Sequence, residues 1–206
     1  MFGIPKEVFR DLLKYYQDAG LSAVLLEKGS PETIEKETAI KIKGRKFDLV
    51  ILKFASGSIG AGRGGGFEPT ISKKVSTTHP NIRFNHIVRG MGKKSEKDLK
   101  AEVKEKKEGL ISKKLVDIKW EGGKLAKMLN DDAELKNMIM KTGSTPLKVE
   151  PDRKNDSIRI IQQKGIDVIV ESGGVFIKKT QTRAENFPPI ESFDVIDRIA
   201  EHAKSI

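Results

Sequence analysis

Ala39-Ile-Lys-Ile-Lys-Gly-Arg-Lys-Phe-Asp-Leu-Val-Ile-Leu-Lys-Phe54 carries two apolar patterns back to back. Up to Lys43, Ile40 and Ile42 alternate with Lys41 and Lys43, the period of a half-buried strand. From Phe47 to Phe54 the run is more apolar, and Gly44-Arg45 between the two suits a two-residue hairpin turn with glycine at its first central position. In that hairpin Lys41 and Lys43 point away from the core, while Arg45 and Lys46 sit at the turn.

The hairpin opens a stretch, 41–94, that holds all of the chain's excess charge. Twelve Lys and Arg stand there against two acids, Asp48 and Glu68, leaving 27 basic and 27 acidic residues elsewhere. The net charge of +10 is therefore local. Lys41, Lys43, Arg45, Lys46, Arg63, Lys73, Lys74, Arg83 and Arg89 are the residues expected to meet an anionic partner.

Within this stretch Ser56–Gly66 has six glycines in eleven residues. Gly60-Ala-Gly-Arg-Gly-Gly65 matches the G-x-G-x-x-G string, but a dinucleotide site needs a helix to open at the third glycine, and Phe67-Glu68-Pro69 follows instead. Nor does a Lys followed by Ser or Thr complete a P-loop. The expectation is a surface loop, with a backbone anion nest beside Arg63 as the functional alternative and no cofactor. Ile71–Thr77 is a weaker strand. Asn81–Arg89 is a better one, with Ile82, Phe84, His86 and Val88 on one face. His86 is then expected to be a hydrogen-bonded structural histidine, and His79, before Pro80, to lie in a turn. The two lack a third ligand at a metal-binding spacing.

Pro5–Ala19 reads as an amphipathic helix with Val8, Phe9, Leu12, Leu13, Tyr15, Tyr16 and Ala19 on its apolar face, stopped by Gly20. Leu21–Glu27 follows as a strand. Beyond the basic stretch, Ser95 is expected to cap a solvated helix running to Lys107, laced by Glu96/Lys100 and Glu102/Lys106 pairs. Val116, Ile118 and Trp120 alternate on a strand. A helix from Leu125 kinks or restarts at Asn130-Asp-Asp132, where Asp131, Asp132 and Glu134 suit a cap better than a cation site. Strands at Leu147–Glu150, Ser157–Gln162, Ile166–Glu171 and Val175–Thr182 lead to a final helix whose inner face holds Phe193, Ile196, Ile199, Ala200 and Ala203.

The order of these elements suggests an internal duplication. Gly20–Glu27 resembles Gly143–Glu150, Ala39–Ile42 resembles Ser157–Ile160, and Phe47–Ile51 resembles Ile166–Val170. The expected fold is α+β: helix, antiparallel strands, helix, twice, as halves 1–113 and 114–206 related by a pseudo-twofold within one compact unit. The Gly-rich basic insertion at 55–80 has no counterpart in the second half.

With 206 residues and no cysteine, burial alone can hold the fold together, without disulfides or thiolate sites. No apolar run is long enough to cross a bilayer and Met1–Lys6 is no signal peptide, so a cytoplasmic protein is expected, a monomer or weak dimer. The charge distribution points to a non-enzymatic module binding an anionic partner, nucleic acid first, by shape rather than sequence, since no RNP, KH, zinc-finger or helix-turn-helix pattern occurs. Adhesion to anionic lipid or an acidic protein is the second class. An enzyme using the glycine loop, Arg63 and His79 or His86 is the third, although no general base with an orienting partner can be named from the sequence.

Overall fold

A computed structural model describes residues 4–34, 36–55, 74–92, 94–109, 114–173, 177–182 and 187–206. In chain order the elements are α1 (Lys6–Asp18), β1 (Ala23–Leu26), β2 (Ala39–Ile42), β3 (Leu49–Phe54), β4 (Lys74–Thr78), β5 (Asn81–Arg89), α2 (Glu96–Leu99), β6 (Ala101–Glu108) and β7 (Lys114–Gly122). There follow α3 (Lys124–Asp131), α4 (Ala133–Thr142), β8 (Leu147–Asp152), β9 (Ser157–Gly165), β10 (Val168–Gly173), β11 (Ile177–Thr182) and α5 (Ser192–Ser205). Eight strands form one antiparallel sheet in the order β1-β2-β3-β5-β9-β8-β6-β7, and β11-β10-β4 form a second, so the class is α+β. The Gly-rich segment, with Arg63 and Lys73, lies outside the described residues. Among the described residues no helix is long and apolar enough to cross a membrane.

Strand parity explains the layers. Even-numbered residues of the central strands, Val50, Leu52, Ile82, Phe84, Val88, Ile158 and Ile160, join the inner faces of α1, α3, α4 and α5 in one core. The 3.6 period of α5 turns Phe193, Val195, Ile196, Ile199, Ala200 and Ala203 inward, all essentially buried. Among the described residues the opposite face of the sheet carries a small cluster, Ile34, Ala39, Leu49, Ile51 and Ile87, under the connection between β1 and β2, and no described helix packs on that face.

The two sheets share a ribbon. β5 pairs with β9 from Asn81↔Gly165 to Arg89↔Ser157, and β4 pairs with β10 from Thr78↔Val168 onwards. Between them the Ile166 N–H donates to the Pro80 carbonyl at 3.1 Å, so the ladder runs through the junction. Ile166 and Val168 both enter the main core. Asp167 between them faces the open side.

Two expectations need correction, and a third, the internal duplication, is not confirmed. The helix to Lys107 is a single turn, α2, without a Ser95 side-chain cap, and Ala101–Glu108 is a strand held between β8 and β7. Its ion pairs are spaced by two, Lys104–Glu102 at 2.9 Å and Lys106–Glu108 at 3.3 Å, as strand geometry demands, while Glu96 pairs with Arg153 instead of Lys100. The β2–β3 register, Ala39↔Ile51 and Ile40↔Val50, pivots on Arg45 rather than on a two-residue turn, which brings Phe47 into the core. As for the suggested duplication, β1–β2 and β8–β9 do both form antiparallel pairs after a helix. The third strand breaks the parallel: β3 pairs with β2, whereas β10 leaves β9 to pair with β4 and β11. The main sheet also places β6, from the first half, between strands of the second.

Candidate functional site

The expected anion-binding residues divide between the two sides of the sheet. Arg45 turns under α5, where its Nη1 donates to Asp194 at 2.7 Å and to Asp197 at 3.3 Å and its guanidinium lies 5.3 Å from the centre of the Phe193 ring. The Lys46 backbone N–H donates to Asp197 at 2.7 Å, and its ammonium stands 3.3 Å from Glu201. Burial raises the Asp197 pKa, opposed by the Lys46 N–H and by Arg45. Lys94, also in the basic stretch, donates to the carbonyls of Ala203 and Lys204 at the α5 C-terminus, where the helix dipole favours a cation. These charges fasten α5 to the sheet.

The open face receives the odd-numbered residues of the same strands. Lys41 pairs with Glu32 at 2.5 Å, Arg89 donates to the Glu32 carbonyl, and Lys53 stands 3.8 Å from Glu37. The hydrogen bond from Lys41 holds the Glu32 carboxyl below its ordinary pKa. The connection that covers Leu49, Ile51 and Ile87 thus also supplies carboxylates to Lys41 and Lys53. Lys43, exposed just beyond β2, has no ion pair among the described residues. For Lys74, in β4, only the backbone is described.

Arg83 differs. It sits mid-sheet, with Lys53 opposite on β3 and Gln163 opposite on β9. It is half-buried, and no acid stands within ion-pair distance of it among the described residues. It lines a depression of about 240 Å³ floored by Ile161 and Pro146, with Gln163, Lys148, Glu102 and Glu150 around the rim. The other charges of that rim are matched: Lys148 with Glu150 at 2.6 Å, and Glu102 with Lys104. The hydrogen bond from Lys104 lowers the Glu102 pKa, helped by the charge of Lys148. The depression therefore offers one uncommitted guanidinium, an amide and an apolar floor, a combination suited to holding an anionic group beside a flat one.

The ribbon brings a second group to this face, one the sequence did not disclose. His79 Nδ1 lies 2.6 Å from Asp167 Oδ1 across the junction of the two sheets, with the imidazole side chain 69% exposed. Asp167 is 88 residues away in sequence, so only the β5–β9 register announces it. The other two histidines are structural. His86 is fully buried, edge-on to Phe47 at 4.9 Å and Phe193 at 5.8 Å. Contrary to expectation, neither ring nitrogen has a hydrogen-bond partner among the described residues, and desolvation pushes its pKa down to about 3.

His202 Nε2 binds Asp132 at 2.7 Å. Asp132 also caps α4 through the Leu135 N–H at 2.9 Å and takes the Arg198 guanidinium. Its burial works to raise its pKa and is outweighed by the hydrogen bonds from Arg198 and His202, so the carboxyl is held well below its usual range. Asp131, Asp132 and Glu134 thus make a cap and a clamp on α5. Among the described residues no group of three side chains is placed to hold a metal ion.

Comparison with protein family models, with curated proteins and with solved structures gave no match to this chain.

Proposed function

We propose that the protein binds a polyanion, single-stranded nucleic acid in the first instance, across the open face of the large sheet. The observation that carries this reading is Arg83: a half-buried guanidinium that, among the described residues, has no acidic partner and stands opposite a lysine on a face where no helix packs. A cation left unmatched while its neighbours are neutralised is suited to an anion from outside the chain. The apolar floor of the depression and the Gln163 amide suit a base next to the phosphate that Arg83 takes. Arg45 and Lys46 drop out of the interface in this reading, because α5 already holds them.

Fluorescence anisotropy of a labelled single-stranded oligonucleotide, titrated across a range of salt, tests it. Arg83→Ala is expected to weaken binding about fivefold, equivalent to about 1 kcal/mol, and to reduce the slope of log K against log salt by about 1. Lys46→Ala is expected to change neither. No measurable binding at low salt, or equal losses for the two variants, would remove the proposal; binding to anionic vesicles instead would support the lipid alternative.

A further inference from the structure

We infer that His79, oriented by Asp167, is the general base of an RNA-cleaving transesterification on a strand bound to the open face. This rests on the binding role proposed above and adds a reaction to it. Three observations combine. The contact between Asp167 and Nδ1 makes Nδ1 the donor nitrogen, which leaves Nε2 as the acceptor, and the ring is mostly exposed. Asp167 alternates with the core residues Ile166 and Val168, so the pair belongs to the same side of the ribbon as Arg83 and Gln163. His79 precedes Arg83 by four positions, about 13 Å along an extended chain at a rise near 3.3 Å per residue. Between them the ladder position is Asn81↔Gly165, where the exposed Asn81 amide lies over the glycine and offers a neutral hydrogen-bonding group between the imidazole and the guanidinium.

The chemistry requires only what these residues offer, because RNA carries its own nucleophile. Nε2 takes the proton of a 2′-hydroxyl, the 2′-oxygen attacks the adjacent phosphorus, and the O2′–P bond forms as the P–O5′ bond breaks. The departing 5′-oxygen takes the proton back from the imidazolium, directly or through water, so the imidazole ends neutral. The products are a 2′,3′-cyclic phosphate and a 5′-hydroxyl. Arg83 holds the strand by a neighbouring phosphate, and Asp167 is a positioning residue that fixes the tautomer.

The test uses the full chain, a labelled single-stranded RNA and its all-deoxy counterpart, with anisotropy and product analysis run in parallel. Wild type is expected to bind both and to cut only the RNA, leaving cyclic phosphate ends. His79→Ala, an exposed substitution, is expected to bind equally and cut about a hundredfold more slowly or less. Asp167→Asn is expected to keep binding and KM unchanged and to lower kcat, with Asp167→Glu recovering part of the loss. RNA that is bound but left intact by wild type, or cut at the same rate by His79→Ala, overturns this inference and leaves the binding role standing. Absence of binding to either strand overturns both.

Discussion

The two faces of the eight-stranded sheet treat positive charge differently. On the helix side Arg45 and Lys46 meet Asp194, Asp197 and Glu201, and Lys94 caps the end of α5. On the open side the β1–β2 connection pairs Lys41 with the Glu32 carboxylate and gives Arg89 only a backbone carbonyl, while Arg83 has no acid within ion-pair distance among the described residues and has Lys53 across the ladder. The first arrangement fastens a helix to its core; the second contributes little to folding and leaves charge available to a ligand. The comparison teaches that a run of basic residues in sequence is not a unit in space. The strand alternation and the acids of α5 sort it into structural and available charge.

The largest effect separating the faces is expected at Phe193. It is buried among Tyr16, Phe47 and His86, with ring centres 5.1 to 5.8 Å away, and Arg45 stacks on it. Phe193→Ala leaves a cavity in the main core and is expected to cost about 3–5 kcal/mol in urea unfolding. A loss under 1 kcal/mol would mean that α5 is not a core element and that the contrast between the faces is misplaced. Asp132→Ala comes next. It removes a helix cap, worth about 1 kcal/mol, and leaves Arg198 and His202 without their common acceptor. A loss of about 2–3 kcal/mol is expected by the same measurement.

His86 supplies the pH-dependent member of the series. Its folded pKa is lowered by burial to about 3, below the value near 6.5 of an unfolded chain. The unfolded state therefore binds the proton more readily, and the stability tied to the neutral ring is fully present above about pH 6.5 and is lost progressively as pH falls towards 3. Between pH 7 and pH 5 this amounts to about 2 kcal/mol. His86→Leu is expected to flatten that part of the pH profile of the unfolding free energy, because the carboxylates common to both proteins are untouched. Parallel profiles for the two proteins would count against a neutral, dry imidazole beneath α5.

Much of this division was legible in the sequence. Alternation placed Ile82, Phe84, His86 and Val88 on one side of β5 and Arg83 and Arg89 on the other, and the inner face of α5 followed from its 3.6 period. β6 was not legible, because its charges satisfy two periods at once. Glu102 and Lys106 suit a helix, and Glu102 and Lys104 suit a strand. Pairing with β7 and β8, which lie later in the chain, settles the choice, and local propensity does not record it. The carboxylates that neutralise Arg45 were hidden for the same reason, being some 150 residues away. Asp167 had one available signal, a polar residue between the two apolar positions Ile166 and Val168, but nothing local joins it to His79.

The smallest effect is the most discriminating for Arg83. An ordinary arginine on a sheet is stabilised by an opposite charge across the ladder, and its removal costs a few tenths of a kcal/mol. Arg83 faces Lys53, whose ammonium stands 3.8 Å from Glu37, and like charges directly opposite one another are destabilising. Arg83→Ala is therefore expected to leave stability unchanged or to raise it by about 0.2–0.5 kcal/mol at low salt. The difference should vanish at 1 M salt, where the Debye length falls to about 3 Å. Lys46→Ala, which removes the exposed pair with Glu201, is expected to move stability the other way by at most about 0.5 kcal/mol. Opposite signs in denaturant melts of the two variants would mark Arg83 as charge held against the fold's own preference. A loss on removing Arg83 matching that of Lys46 would make it one more structural arginine and take away the basis for placing a ligand there.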